Sequence, residues 1–161
     1  MSFSYLDIES GEGLGGIKFG LTREEVESLM GDPEEKEVYE LNDDADYKTE
    51  SWHYDEYEIA LSFVQFDEWR LVSITSSFED SLLFGKEVVG MKKKQLVKLL
   101  ESNSVADIQY ENCSSDDADD LLLAFSINLG MNFWLEEGLV TDVEFGIKYD
   151  DNEAPIWPNK E

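Results

Sequence analysis

Gly20-Leu21-Thr22-Arg23-Glu24-Glu25-Val26-Glu27-Ser28-Leu29-Met30 returns seventy positions later as Gly90-Met91-Lys92-Lys93-Lys94-Gln95-Leu96-Val97-Lys98-Leu99-Leu100, with the glycine and the apolar positions in register. Each copy reads as a glycine turn opening a short helix. In the first, the Thr22 hydroxyl is a good acceptor for first-turn amides, and Glu25 three residues later completes a capping box. Val26, Leu29 and Met30 make one apolar stripe, Gly31 supplies a stop and Pro33 forbids continuation. The spacing predicts a helix over about 22–30. In the second copy Met91, Leu96, Val97, Leu99 and Leu100 make the stripe, the lysines take the polar face, and Asn103 ends it. Neither helix is long enough to stand in water without a sheet beneath it.

Working outward, the period changes from 3.6 to 2 after each helix. Trp52 and Tyr54 alternate with polar residues, then Tyr57, Ile59, Leu61 and Phe63 do so, and Trp69 to Phe78 reads as a further strand. After the second helix come Leu121, Leu123, Phe125 and Ile127, then Met131, Phe133 and Leu135, then Leu139, Val143, Phe145 and Ile147. Asn128-Leu129-Gly130 and Glu136-Glu137-Gly138 suit hairpin turns. Asp43-Asp44-Ala45-Asp46 matches Asp116-Asp117-Ala118-Asp119, and Leu71-Val72-Ser73 matches Leu139-Val140-Thr141, at offsets of 73 and 68. These matches predict an α+β chain: two tandem copies of a short helix packed on an antiparallel β-meander, forming one two-lobed body. The first helix-plus-sheet repeat is expected over 1–79 and the second over 80–149, followed by an irregular acidic tail over 150–161 on which Ile156 and Trp157 dock. Each sheet is expected to pack one face on its helix and leave the other free. Phe78 to Phe84 is apolar enough to be ordered, so the lobes are expected to hold a fixed arrangement.

Composition narrows the function. The 161 residues are 42% hydrophobic and 12% aromatic, ample for a core without metal or disulfide. Thirty-eight Asp and Glu against twelve Lys and Arg give a net charge of −26. A field of that sign repels phosphate backbones and anionic lipid, so direct nucleic-acid or membrane binding is not expected; it speeds encounter with a basic protein partner. Solubility or a salt-rich interior would account for the same acidity. The charge is uneven: Asp32 to Glu58 holds twelve acids and two lysines, while half of the ten lysines fall between Lys86 and Lys98. The N-terminus has neither a basic start nor an apolar run, and the lone Cys113 can make no internal bridge, which predicts a cytoplasmic, reducing location.

The Gly-hydrophobic-Thr start, the short helix with Glu24-Glu25-Val26, Gly31-Asp32-Pro33, the Trp52-x-Tyr54 strand and the Leu71-Val72-Ser73 strand resemble the small lipoprotein module of outer-membrane assembly factors. The tandem form, roughly residues 15–78 and 84–147, is similar to the beta-lactamase inhibitory proteins. That resemblance implies a protein-binding sheet. Members of those families are exported and carry a lipidation cysteine or disulfides, whereas this chain offers only Cys113. In size and charge the chain also resembles immunity proteins, which neutralise bacterial toxins.

Catalytic groups are few. His53 is the only histidine, between Trp52 and Tyr54, and a strand histidine so placed reads as a surface side chain opposite the buried face. Cys113, in Asn112-Cys113-Ser114-Ser115, lies outside any Cys-x-x-Cys pattern and reads as inert. The glycines of Ser10 to Gly16 match neither dinucleotide nor P-loop spacing and read as a flexible turn. The paired Asp-Asp-Ala-Asp segments are the best carboxylate clusters for calcium or magnesium, yet they lack the glycine and distal glutamate of a calcium loop. No enzyme, cofactor or resident metal is expected. The leading expectation is an inhibitor or immunity-type module that occludes a basic partner, a toxin or nucleic-acid enzyme. Asp43, Asp44, Asp46, Asp116, Asp117, Asp119 and Asp120 would supply charge, and Trp52, Trp69 and Trp134 the anchors. The alternatives are a small-ligand or divalent-cation protein using the inter-lobe cleft, or a homo-oligomeric structural protein.

Overall fold

Both glycine-led stretches become helices. In the computed structural model, which describes residues 6–40, 48–116 and 120–158, α1 runs Arg23–Met30 and α2 runs Lys93–Ser102, each ending where expected, at Gly31 and Asn103. The capping box of α1 is closed: the Glu25 amide donates to Thr22 Oγ1 at 3.2 Å and the Thr22 amide donates to Glu25 Oε1 at 3.0 Å. Lys92 offers no acceptor, so α2 keeps only the return half, the Lys92 amide to Gln95 Oε1 at 2.9 Å. The approach to each helix is shared as well. Gly20 donates to Leu71 O at 2.8 Å and Gly90 to Val140 O at 2.7 Å, and Leu71 and Val140 donate back to Leu21 and Met91.

Before α1 lie β1 (Asp7–Glu9), β2 (Gly13–Leu14) and β3 (Ile17–Lys18), and after it β4 (Glu35–Glu40), β5 (Lys48–Tyr54), β6 (Ile59–Val64) and β7 (Arg70–Ser76). Before α2 lie β8 (Leu82–Leu83) and β9 (Lys86–Glu87), and after it β10 (Ile108–Asn112), β11 (Leu121–Ser126), β12 (Met131–Glu136) and β13 (Leu139–Gly146). A hairpin of β14 (Lys148–Tyr149) and β15 (Pro155–Ile156) follows. The dominant sheet has eight strands in the order β10-β11-β12-β13-β7-β6-β5-β4, every pair antiparallel. Its seam is β13 on β7, where Phe145 stands opposite Ile74 and Val143 opposite Ser76.

This corrects the expected α+β class. The described residues are mostly β, with 47% strand and 15% helix, and one large antiparallel sheet takes the place of two helix-on-meander lobes. The physical reason lies in what each element buries. Val26 is the one buried residue of α1, and Leu96 and Leu100 are those of α2. Trp52, Leu61, Phe63, Ile74, Phe133 and Phe145, all on strands, are among the buried residues of the core. Joining the two four-stranded runs at the seam also satisfies backbone groups that separate lobes would leave on two further edges.

A second sheet, in the order β3-β2-β1-β8-β9, fastens the chain ahead of α1 to the segment between the halves, with Ile8 opposite Leu83 in a parallel pair. That segment is ordered as expected: Ser81 and Leu83 are buried. The glycine-rich stretch is no flexible turn. Gly13 sits in β2 at φ 143°, and a Cβ there would lie 2.0 Å from Ile17 O, so only glycine fits. At the Glu136-Glu137-Gly138 hairpin, Glu137 (φ 52°) and Gly138 (φ 82°) both take the positive φ of a type I′ turn. In the tail, Trp157 packs partly buried on the core beneath the Arg70 guanidinium, 5.6 Å away, whereas Ile156 stays 51% exposed. Among the described residues no helix is long and apolar enough to cross a membrane.

Candidate functional site

Side chains alternate across a pleated strand, so the register assigns each residue of the large sheet to one face. The inner face carries Trp52, Leu61, Ile74, Phe145 and Met131 in one row and forms the core. The outer face has a parallel row of Glu35, His53, Ala60, Thr75, Glu144, Asn132, Phe125 and Gln109, one from each strand. Over β5, β6 and β7 this face is small and hydroxylic, with Ser51, Ser62 and Ser73 aligned and Ser51 and Ser62 Oγ atoms 3.3 Å apart. Over β11, with Trp134 of β12, it turns apolar.

That change of character reverses the sequence reading of β11. Alternation selected Leu121, Leu123, Phe125 and Ile127 as the buried set. Instead Ala124 and Ser126 face inward, at 0% and 2% exposure, while Leu121, Leu123 and Phe125 lie on the outer face, outside the core cluster, and Ile127 is 71% exposed. Inward placement of the serine is fixed locally. The Ser126 hydroxyl donates to Asp107 Oδ1 at 2.6 Å, and Asp107 Oδ2 accepts from the Asn128 amide at 2.9 Å. These two donors hold the Asp107 carboxyl below its usual range, and they fix the turn out of β11.

Trp134 completes the apolar patch. It stands opposite Leu123 on one side and Asp142 on the other, across a register shift in the β12–β13 pair. Leu121 is opposite Glu136, and Leu123 opposite Glu111 on β10. Carboxylates therefore border the patch on both sides: Glu111, Glu136, Asp142 and Glu144. Trp134, Leu121, Thr75 and Asp142 line a hollow of about 290 Å³, and a neighbouring hollow of about 280 Å³, reaching His53 and Asp55, shares Thr75 and Asp142. A larger one of about 540 Å³ lies elsewhere, beside α1 at Leu21, Glu24 and Leu29.

The expected contact residues separate into distinct groups. Asp43, Asp44 and Asp46, with Asp117 and Asp119, lie outside the described residues. Asp116 and Asp120 are exposed, and Asp120 immediately precedes Leu121 at the edge of the apolar patch. Trp52 is no anchor. It is 2% exposed on the inner face, packed on Phe63 with ring centroids 4.8 Å apart, and its Nε1 donates to Glu50. Arg23 Nη1, 3.4 Å from Glu50 Oε2, neutralises that carboxylate and stacks 4.6 Å over Trp69, which packs partly buried against the core. Of the three tryptophans only Trp134 lies on the open face. Leu121, Leu123 and Phe125 are the members that sequence reading misplaced. The small residues between them, Ala124 and Ser126, were the available signal of a strand whose larger side chains face away from the core.

At the far border of the same face, Glu35, Glu37 and His53 bring one possible ligand atom each to within 4.8 Å of the others. No family model, curated protein or solved structure matches the chain.

Proposed function

We propose that the protein is a binding module that docks a basic protein on the outer face of the large sheet and acts by occlusion. The single observation that carries this reading is the inversion of β11, which turns Leu121, Leu123 and Phe125 away from the core and beside Trp134. These side chains are half-buried, and desolvating what remains of their apolar surface against a partner is favourable by roughly 25 cal/mol per Å². The bordering carboxylates, together with Asp116 and Asp120, add charge of one sign around an aromatic centre. A partner bearing lysine or arginine around an apolar spot complements both parts. The net charge of −26 favours encounter with such a partner from a distance.

Passing the protein as bait over lysate of its own source, at low and then moderate salt, supplies the partner for a quantitative test. Trp134→Ala is expected to weaken binding by about 2 kcal/mol, the magnitude of an interface hot spot. Asp142→Asn with Glu144→Gln is expected to slow association and flatten its salt dependence. Unchanged affinity in Trp134→Ala would remove this face from the interaction.

A further inference from the structure

We propose that Glu35, Glu37 and His53 bind one divalent transition-metal cation of the zinc class at the β4–β5 border of the open face. Strand register builds the cluster. Glu35 stands directly opposite His53, and Glu37, two residues along β4, returns to the same face. One ligand atom from each lies within 4.8 Å of the other two, so a single ion between them would lie within reach of all three.

Two observations separate this cluster from ordinary acidic surface. His53 Nε2 is shielded from solvent and has no hydrogen-bond partner among the described residues, with Glu37 Oε2 standing off at 3.9 Å. A ring nitrogen so placed is costly unless it donates a hydrogen bond or coordinates. In addition, no lysine or arginine among the described residues pairs with Glu35 or Glu37. Lys36, between them in sequence, lies with its Nζ 4.4 Å from the Trp52 ring on the opposite face. The register thus gathers two carboxylates and an imidazole whose Nε2 makes no hydrogen bond, with no described lysine or arginine paired to either carboxylate. A bound cation satisfies all three.

The donor set selects the metal. One imidazole nitrogen with two carboxylate oxygens suits Zn²⁺ or Co²⁺, whereas Ca²⁺ and Mg²⁺ favour all-oxygen shells and Cu⁺ needs sulfur. His53 also lines the hollow of about 280 Å³ shared with Thr75 and Asp142, which leaves room for water in a fourth position. The site does not depend on the partner reading above.

Because His53 is the only histidine, its ring resonances are one unambiguous probe. Zn²⁺ is titrated into the full chain in excess Mg²⁺, which occupies unspecific carboxylates, while calorimetry and the His53 ring ¹⁵N signals are followed together. One equivalent is expected to bind and to move the ring signals at the same ratio. His53→Gln and Glu37→Gln are each expected to weaken binding by about tenfold or more, and Cys113→Ser to leave it unchanged. Should His53→Gln fail to fold by circular dichroism, the exposed Glu37→Gln carries the comparison. Binding that leaves the ring signals unmoved, equal affinity in the folded variants, or no heat above the Mg²⁺ background would each overturn the site.

Discussion

Tyr54 holds its proton unusually hard. Its hydroxyl donates to Gly31 O at 2.8 Å, tying β5 to the end of α1. Burial, then the charges of Asp32, Glu27 and Glu34, with Tyr57, push its pKa from 10.0 up to about 12. A group whose folded pKa lies above its unfolded value contributes stability that is complete below the unfolded pKa and is lost as pH rises toward the folded one. Stability is therefore expected to fall between about pH 10 and pH 12. Tyr54→Phe, lacking the hydrogen bond, should be less stable by about 1 kcal/mol at neutral pH, and its deficit should narrow above pH 10. Urea unfolding of both proteins at neutral and alkaline pH checks this; a deficit that stays constant would deny Tyr54 the alkaline role. Residue-level reading of the site was uneven. Trp134 was legible because its neighbour Phe133 had to take the opposite face of the strand. The Glu35, Glu37 and His53 cluster was not, since a cross-strand pair exists only once register is known.

The two helices test how much a cap matters. Thr22 closes a full box on α1, but Lys92 leaves first-turn amides of α2 without a side-chain acceptor and sets a positive charge at the positive end of the helix dipole. Lys92→Thr is expected to stabilise the protein by about 0.5–1 kcal/mol, read as a raised Tm in calorimetry, and a lowered Tm would show that the lysine is held by contacts that outweigh its capping deficit. Helix ends and strands with one buried face were legible for a shared reason: Thr22, Gly31, and the alternation of Ile59, Leu61 and Phe63 are local signals tied to local geometry. The strands β4 and β10 were not legible. Every residue of β4 is exposed, so it carries no apolar alternation, and only Ile108 of β10 is partly buried. The helical stripes drew the fold class toward α+β, because periodicity marks that a helix exists and not how little of the core it supplies.

At the scale of the molecule, a charge of −26 acts against compactness. Three ion pairs between lysine or arginine and a carboxylate are formed among the described residues, so most of the acids repel without local relief. Sodium chloride is expected to raise Tm from low ionic strength up to about 0.15 M, where the Debye length shrinks to about 8 Å; a falling Tm over that range would mean that favourable pairs outweigh the repulsion. The sheet's borders have a related consequence. One border is β4, a fully exposed strand with Glu35 and Glu37 on one face and Glu40 at its end on the other, and the other border is β10, where Lys93 covers Tyr110 at 4.4 Å and Glu111 follows. Fibril growth needs a bare border that welcomes an identical strand. A second copy arriving at β4 would set glutamate against glutamate, which is how natural sheets discourage self-templating. Addition of like strands beyond the eighth is therefore disfavoured by the charge of the border itself, and crowding the protein is expected not to seed amyloid.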